Sequence, residues 1–419
     1  MSQAENKVIP EGYKQTDIGV IPENWDVITL DDAANFLDGQ RRPVKSGDRA
    51  RIKGQYPYYG ASGIVDYVND YIFDGEFILL GEDGENILSR NLPLAFRANG
   101  KIWVNNHAHV MIPKSNFHID FLTSYLESLD YSLLNSGTAQ PKLNKQACLN
   151  IKVLRPSLKE QTAIANALSD VDALLSELEK LIAKKQAIKT ATMQQLLTGK
   201  TRLPQFAFYS DINSTEGAVE GKRKGTKPSE LGEIPEDWDV VTIGDFAPLQ
   251  RGFDLTNTNR REGIYPVVYS NGIVNHHAHF QIKGPGVVTG RSGTLGKVHY
   301  IDTDYWPHNT SLWVTKFEIS NPKYVYYLYK HVGFERFASG SGVPTLNRND
   351  AHDFKIKVPP TKEEQTAIAT ILSDMDNEIQ TLEQRLSKTR QIKQGMMQEL
   401  LTGKTRLPFD KDTISEVSV

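Results

Sequence analysis

The sequence is poor in the residues that most often announce a chemistry. It holds one cysteine, Cys148, in 419 residues, which rules out a disulfide framework and any cysteine-rich zinc site. No run of about 18 apolar residues occurs, so no ordinary membrane-spanning helix is expected. The stretch "MSQAENKVIPEGYKQ" is polar and lacks the apolar centre of a secretory signal. There is no basic excess either. The formal net charge is −3, which disfavours a nucleic-acid binder working alone but leaves room for local patches and for partners that hold phosphates. What is present, 39% hydrophobic and 24% charged residues, describes a soluble globular protein, expected in a reducing cytoplasmic setting. The length suggests about two to four domains.

The nonapeptide "LLTGKTRLP" stands at 196–204 and again at 400–408. Followed outward at an offset of 204, residues 161–204 lie on 365–408 without a gap, and more than half of the positions are identical. Landmarks continue upstream: "PKLN" (141–144) against "PTLN" (344–347), and "YPYYGASGIV" (56–65) against "YPVVYSNGIV" (265–274). The two starts also match, "IGVIPENWDVITLDD" (18–32) against "LGEIPEDWDVVTIGD" (231–245). The chain is two copies of one unit.

The end of each unit is an a/d seam. Ile164, Leu168, Val171, Leu175, Leu178 and Ile182 are spaced 4, 3, 4, 3, 4, and Ile368, Leu372, Met375, Ile379, Leu382 and Leu386 repeat the pattern. This predicts a long helix in each copy, roughly 55 Å for about 37 residues. Lys185 and Lys189 interrupt the seam, so a local stutter is expected, with the stripe resuming one face over at Ile188 and Ile392. Gly199 and Gly403, followed by Pro204 and Pro408, are stop signals.

The earlier part of each unit carries short β-rich runs broken by Gly, Asn and Pro, such as "EFILLG", "KIWVNN", "GVVTG" and "KVHYI". One helical stretch follows in each, "DFLTSYLESLDYSLL" and "KYVYYLYKHVGFERF". The expected class is α+β, with two mixed α/β domains, each feeding a long helix. The two helices should pack as an antiparallel coiled coil with pseudo-two-fold symmetry. The expected segments are a first globular domain (1–156), a helix (157–204), a linker (205–229), a second globular domain (230–360), a helix (361–403) and a tail (404–419). The helices are nearly copied while the heads share only landmarks, a pattern suited to reading two different things at a fixed separation.

The order head, helix, head, helix resembles the DNA-specificity subunit of type I restriction–modification enzymes. So do "GIYPVVYSNGIV", "GRSGTLGKV" and the "EEQTAIA" and "LLTGKTRLP" segments. The resemblance implies two target-recognition domains on the halves of an interrupted double-stranded DNA sequence. The helices would set the gap and dock two modification subunits, which would use S-adenosylmethionine to methylate adenine. Restriction subunits, with Mg and ATP, would join them to cut DNA. The alternative is a coiled-coil scaffold for protein partners without sequence-specific DNA binding.

No catalytic motif or cofactor site of this chain's own is expected. "GKT" at 199–201 and 403–405 lacks the upstream glycine of a phosphate loop, where Gln194 and Gln398 stand. "GRSGTLGKV" has the wrong glycine spacing and ends at Val298, and Lys323 breaks the methylase-like "NPKY". His107 and His109, and His276, His277 and His279, have no cysteine partners and no metalloprotease-type helix, so no metal is expected.

Base edges need donors and acceptors, while Lys and Arg hold phosphates. In the first head, "GQRRPVKSGDRARIK" offers Arg41, Arg42, Lys45, Arg49, Arg51 and Lys53 for phosphates, or as a solvated face. "WVNNHAHV" offers Asn105, Asn106, His107 and His109 for bases, or as a structured turn. In the second head, "TGRSGTLGK" sets Arg291, Ser292, Thr294 and Lys297 on a glycine-flanked loop. There Arg291 suits a phosphate or a guanine, or alternatively an internal ion pair. Arg251, Asn309 and Thr310 complete the candidate DNA-binding set.

Overall fold

The structure, a computed structural model, describes residues 9–137, 140–209, 222–339 and 344–408. The middle of the linker expected at 205–229 and the tail beyond 408 lie outside these residues. The chain divides into two compact units, residues 1–179 with 385–419, and residues 180–384. Each unit therefore takes its own head, the near part of one long helix and the far part of the other.

In the first head a six-stranded sheet runs in the order Ala34–Phe36, Ala108–Pro113, Phe73–Gly81, Ala95–Val104, Lys53–Gly60, Gly63–Val68. All pairings are antiparallel except Tyr58–Tyr59 beside Trp103–Val104. The second head repeats this order but breaks it. Leu249–Arg251, Ser311–Val314, Gly286–Gly290 and Val298–Ile301 form four strands, and a second sheet holds Gly272–His277, Tyr265–Tyr269 and Trp306–Pro307. The long strand 95–104 of the first head is thus two short ones here, split at Asp302–Tyr305. The helical stretches are shorter than expected, Ile119–Ser128 and Pro322–Val332. Each gives way to a 3-10 turn before the stretch ends.

The long helices run unbroken over Leu158–Leu197 and Lys362–Leu400. Ser157 and Thr361 cap them, each hydroxyl accepting from the N–H three residues on. Within each unit the helices are antiparallel, as the ladders Asp172–Lys393 and Glu179–Arg390, then Lys185–Glu378 and Lys189–Asp376, require. The seam lysines reach carboxylates of the facing helix, so the interruption is an ion-pair layer. The apolar stripe does not resume where expected: Ile188 and Ile392 are 41% and 49% exposed.

The repeated nonapeptide has a structural reason. Leu400 and Leu401 are buried in the first head's core, Leu196 and Leu197 in the second's. Gly403 turns the chain at φ +73° against Pro22 and Trp25, and Gly199 at φ +71° against Pro235 and Trp238. Arg406 then pairs with Glu160, and Arg202 with Glu364. Each helix end is a key for the other copy's head. The linker is also tied down at both ends, since Lys224 N–H donates to the Ala207 carbonyl and Thr226–Lys227 pairs with Ile234–Pro235.

Candidate nucleic-acid interface

Backbone bonds identify equivalent places in the two heads. After strand Phe73–Gly81, Glu82 donates its N–H to the His107 carbonyl (2.8 Å) and accepts from Leu143 N–H (2.7 Å). After strand Gly286–Gly290, Arg291 donates to the Thr310 carbonyl (2.9 Å) and accepts from Leu346 N–H (2.8 Å). Two residues further, Gly84 and Gly293 donate to the Pro141 and Pro344 carbonyls. Glu82 and Arg291 are therefore counterparts. The edge strands extend the match. Phe36 pairs with Met111 and Leu249 with Val314, which makes Asp38 the counterpart of Arg251, and His109 of Leu312.

In the first head this place is closed. Arg41 sits 2.7 Å from Glu82 and 3.6 Å from Asp38 and donates to the Ala108 carbonyl, while Lys142 is 3.3 Å from Glu82. His109, 1% exposed, meets the Asp38 carboxylate through Nδ1 (2.7 Å) and the Leu143 carbonyl through Nε2 (2.9 Å). Both partners are acceptors, so the ring must carry two protons. Burial opposes that charge, but the hydrogen bonds to Asp38 and Cys148 outweigh it, and the His109 pKa is raised to about 10. Burial also works against the Asp38 carboxylate. The His109 bond and charge, the Val110 N–H and Arg41 overcome it and hold its pKa below the usual range.

In the second head the same place is open and basic. Arg251, Arg291 and Arg348 line a cleft of about 340 Å³ with Asn347 and Thr345. Arg251 pairs with the exposed Asp254 at 3.1 Å, and Asn309 donates to the same carboxylate. The i,i+3 pair Asp38–Arg41 is thus reversed as Arg251–Asp254. The Arg291 guanidinium has, among the described residues, one long contact, 3.5 Å to the Asn309 carbonyl. Among the described residues, neither Arg291 nor Arg348 has a carboxylate within 4.0 Å.

The profile of the type I restriction modification DNA specificity domain matches this chain twice, at residues 22–190 and 235–391, once in each copy. The chain belongs to the type I restriction–modification specificity family. A putative type I restriction enzyme specificity subunit of Haemophilus influenzae is 28% identical over 361 residues, covering 82% of this chain and 85% of that relative. The MjaVIII specificity subunit of Methanocaldococcus jannaschii is 26% identical over 439 residues, covering 95% and 96%. Among solved structures, the S subunit from M. genitalium has the same fold, with a TM-score of 0.59 at 16% identity over 90% of this chain and 96% of that one.

For a chain of the specificity family, the placement of each candidate decides what it can offer to DNA. Arg41, His109 and Asn105 are committed inside the first head; the Asn105 side chain accepts from His107 N–H at 2.8 Å. Arg49 is likewise internal, bound to Asp66 (3.2 Å) and the Val44 carbonyl and lying over the Tyr58 ring. The structure thus places Arg41, Arg49 and His109 in contacts inside the first head and uses the Asn105 side-chain oxygen there as well. Arg42, Lys45, Arg51 and Asn106 are exposed, and His107 is exposed beside Asp83 at 2.8 Å. In the second head, Ser292 and Thr294 are half-buried in the Arg291 loop, Thr310 is half-buried with its carbonyl used by that loop, and Lys297 is exposed. Sequence reasoning missed Asp38, Glu82, Lys142 and Arg348. One signal was there: "PKLNK" and "PTLNR" set a basic residue, Lys145 or Arg348, after the same asparagine.

No group of three or more His, Cys, Asp or Glu side chains among the described residues is arranged to hold a metal. No described helix is long and apolar enough to cross a membrane.

Proposed function

We propose that this chain is the non-catalytic, sequence-specific DNA-binding subunit that directs a type I restriction–modification complex to an interrupted target of two unlike halves. Each head reads one half, and the long helices set the gap and dock two modification subunits. Those partners use S-adenosylmethionine to methylate adenine, and restriction subunits with Mg and ATP complete the cutting complex. The observation that carries this reading is the double family match combined with opposite charges at equivalent places in the two heads, Glu82 and Asp38 against Arg291 and Arg251. A scaffold has no need of that opposition. Phosphate contacts from both heads should also make binding fall steeply with salt.

The test is long-read detection of N6-methyladenine in DNA from cells expressing the chain with its modification subunit. A motif of two short, different halves separated by a fixed gap is expected. Replacing residues 230–360 with another such domain should alter one half only. No methylation from a stable complex with an active modification subunit would sink the proposal in favour of a scaffold.

A further inference from the structure

We infer that Arg291 is a specificity-determining residue that reads guanine in the second head's half-site, with Arg251 and Arg348 holding the adjoining phosphates. This rests on the DNA-specificity reading above and goes beyond it in naming the base and the residue. Guanine presents two acceptors, N7 and O6, on its major-groove edge, and a guanidinium fork meets both at once. A residue that reads a base must be held by its backbone and free at its tip. Arg291 meets both conditions: its N–H and carbonyl are bonded to Thr310 and Leu346, while among the described residues its guanidinium has only the 3.5 Å contact to Asn309.

The neighbours fit this division of labour. Arg348 is exposed at the mouth of the same cleft, and Arg251 has half of its side chain exposed despite its pairing with Asp254. An exposed pair of this kind is weak and easily exchanged for a phosphate. Leu312 lies at this cleft where the first head has the His109 ring, and among the described residues that line it none is an acid. The counterpart Glu82 gives the contrast. It is an acceptor clamped by Arg41 and Lys142, so the first head cannot read guanine from this place.

The experiment is selection from a randomised duplex library by the full chain in complex with its modification subunits, as wild type and as Arg291→Gln. The wild type should enrich a two-part motif with a guanine in the half that exchanging residues 230–360 alters. Arg291→Gln should lower the preference for that guanine on the order of ten- to a hundred-fold, drifting toward adenine, with the other half unchanged. Binding to unrelated duplex should persist. An unchanged motif, or a uniform loss on every sequence, would overturn the inference. So would a wild-type motif without guanine in that half. If Arg291→Gln does not assemble, Arg291→Lys decides: a smaller drop at the same guanine supports the assignment, and an unchanged preference rejects it. A wild type that enriches no motif would overturn the reading beneath it, which separates the two failures.

Discussion

Around Trp25 and Trp238 the two copies are the same; at Glu82 and Arg291 they are opposite. Each tryptophan is fully buried, and its indole N–H donates to a buried glutamate, Glu160 at 3.0 Å or Glu364 at 3.3 Å. Each glutamate also receives an arginine from the nonapeptide of the other copy, Arg406 or Arg202. The neighbouring Gln161 and Gln365 each accept one backbone N–H and donate to two carbonyls. The charged partners come from distant parts of the chain, Arg406 from 246 residues beyond Glu160 and Arg202 from 162 before Glu364, so a change on one side leaves a buried charge unpaired on the other. At the clefts, the partners lie within one head or in solvent. The two copies agree where the partners come from both of them, and they differ where a single head supplies every partner.

The largest effect should come from breaking the junction. Arg202→Ala leaves Glu364, 2% exposed, with the Trp238 N–H alone, and should destabilise the second unit by about 3–5 kcal/mol. Arg406→Ala removes the matching partner of Glu160, but Arg406 is 37% exposed where Arg202 is 9%, so its cost should be smaller. Denaturant unfolding followed by hydrogen exchange in each unit measures both. Equal costs, or none, would break the comparison.

Next come the two glycines. A Cβ at Gly403 would lie 2.5 Å from Pro22 and one at Gly199 2.7 Å from Pro235, both at positive φ. Left-handed backbone alone costs a non-glycine residue roughly 1–2 kcal/mol, so Gly403→Ala and Gly199→Ala should each lose about 2 kcal/mol. The losses should be alike and should fall on opposite units. Thermal melting with unit-resolved exchange checks this, and a loss confined to one copy would show that the junctions are not equivalent.

Much of this was legible in the chain. An identical nonapeptide, an a/d spacing of 4, 3, 4, 3, 4 and paired landmarks were enough for two heads and two antiparallel helices, because periodicity and repetition are local patterns. The interface was legible only by residue type. Arg41 and Arg42 are adjacent and look alike, yet one is locked beneath the sheet rim and the other is exposed. What separates them is strand register, which places Glu82 and Asp38 around Arg41 from positions 41 residues ahead and three behind. The setting of His109 was hidden for the same reason, since its acceptors come from residues 38 and 143.

His109 also supplies a difference in pH behaviour between the heads. Its pKa rises from 6.5 unfolded to about 10 folded, so its contribution is complete below 6.5 and is lost as pH rises toward 10. Asp38 is shifted the other way, so its contribution is present above 3.8 and fails as pH falls. The pair is therefore at full strength between those two values. From about pH 7.5 to 8.5 the first unit should lose on the order of 1 kcal/mol from this group, whereas Leu312 confers no such dependence on the second. Exchange at 108–111 compared with 311–314 across that range reads the difference, and His109→Leu should flatten it. A second head that weakens in parallel would mean that the pH dependence arises elsewhere.

The smallest effect concerns the helix ladder, where the duplication is equal in sequence but unequal in setting. Lys189–Asp376 and Lys393–Asp172 are equivalent pairs, yet Lys189 is 13% exposed and Lys393 29%, with Asp376 at 35% and Asp172 at 53%. Asp376 also receives the Tyr327 hydroxyl at 2.8 Å, a bond that the second head's tyrosine-rich helix alone supplies. Lys189→Ala should therefore cost about 1 kcal/mol and Lys393→Ala nearer 0.3, at the low end for exposed pairs. High salt should erase the second loss and spare part of the first, because screening acts most strongly on charges in water. Two equal losses that vanish together in salt would show that the Tyr327 contact adds nothing to its pair.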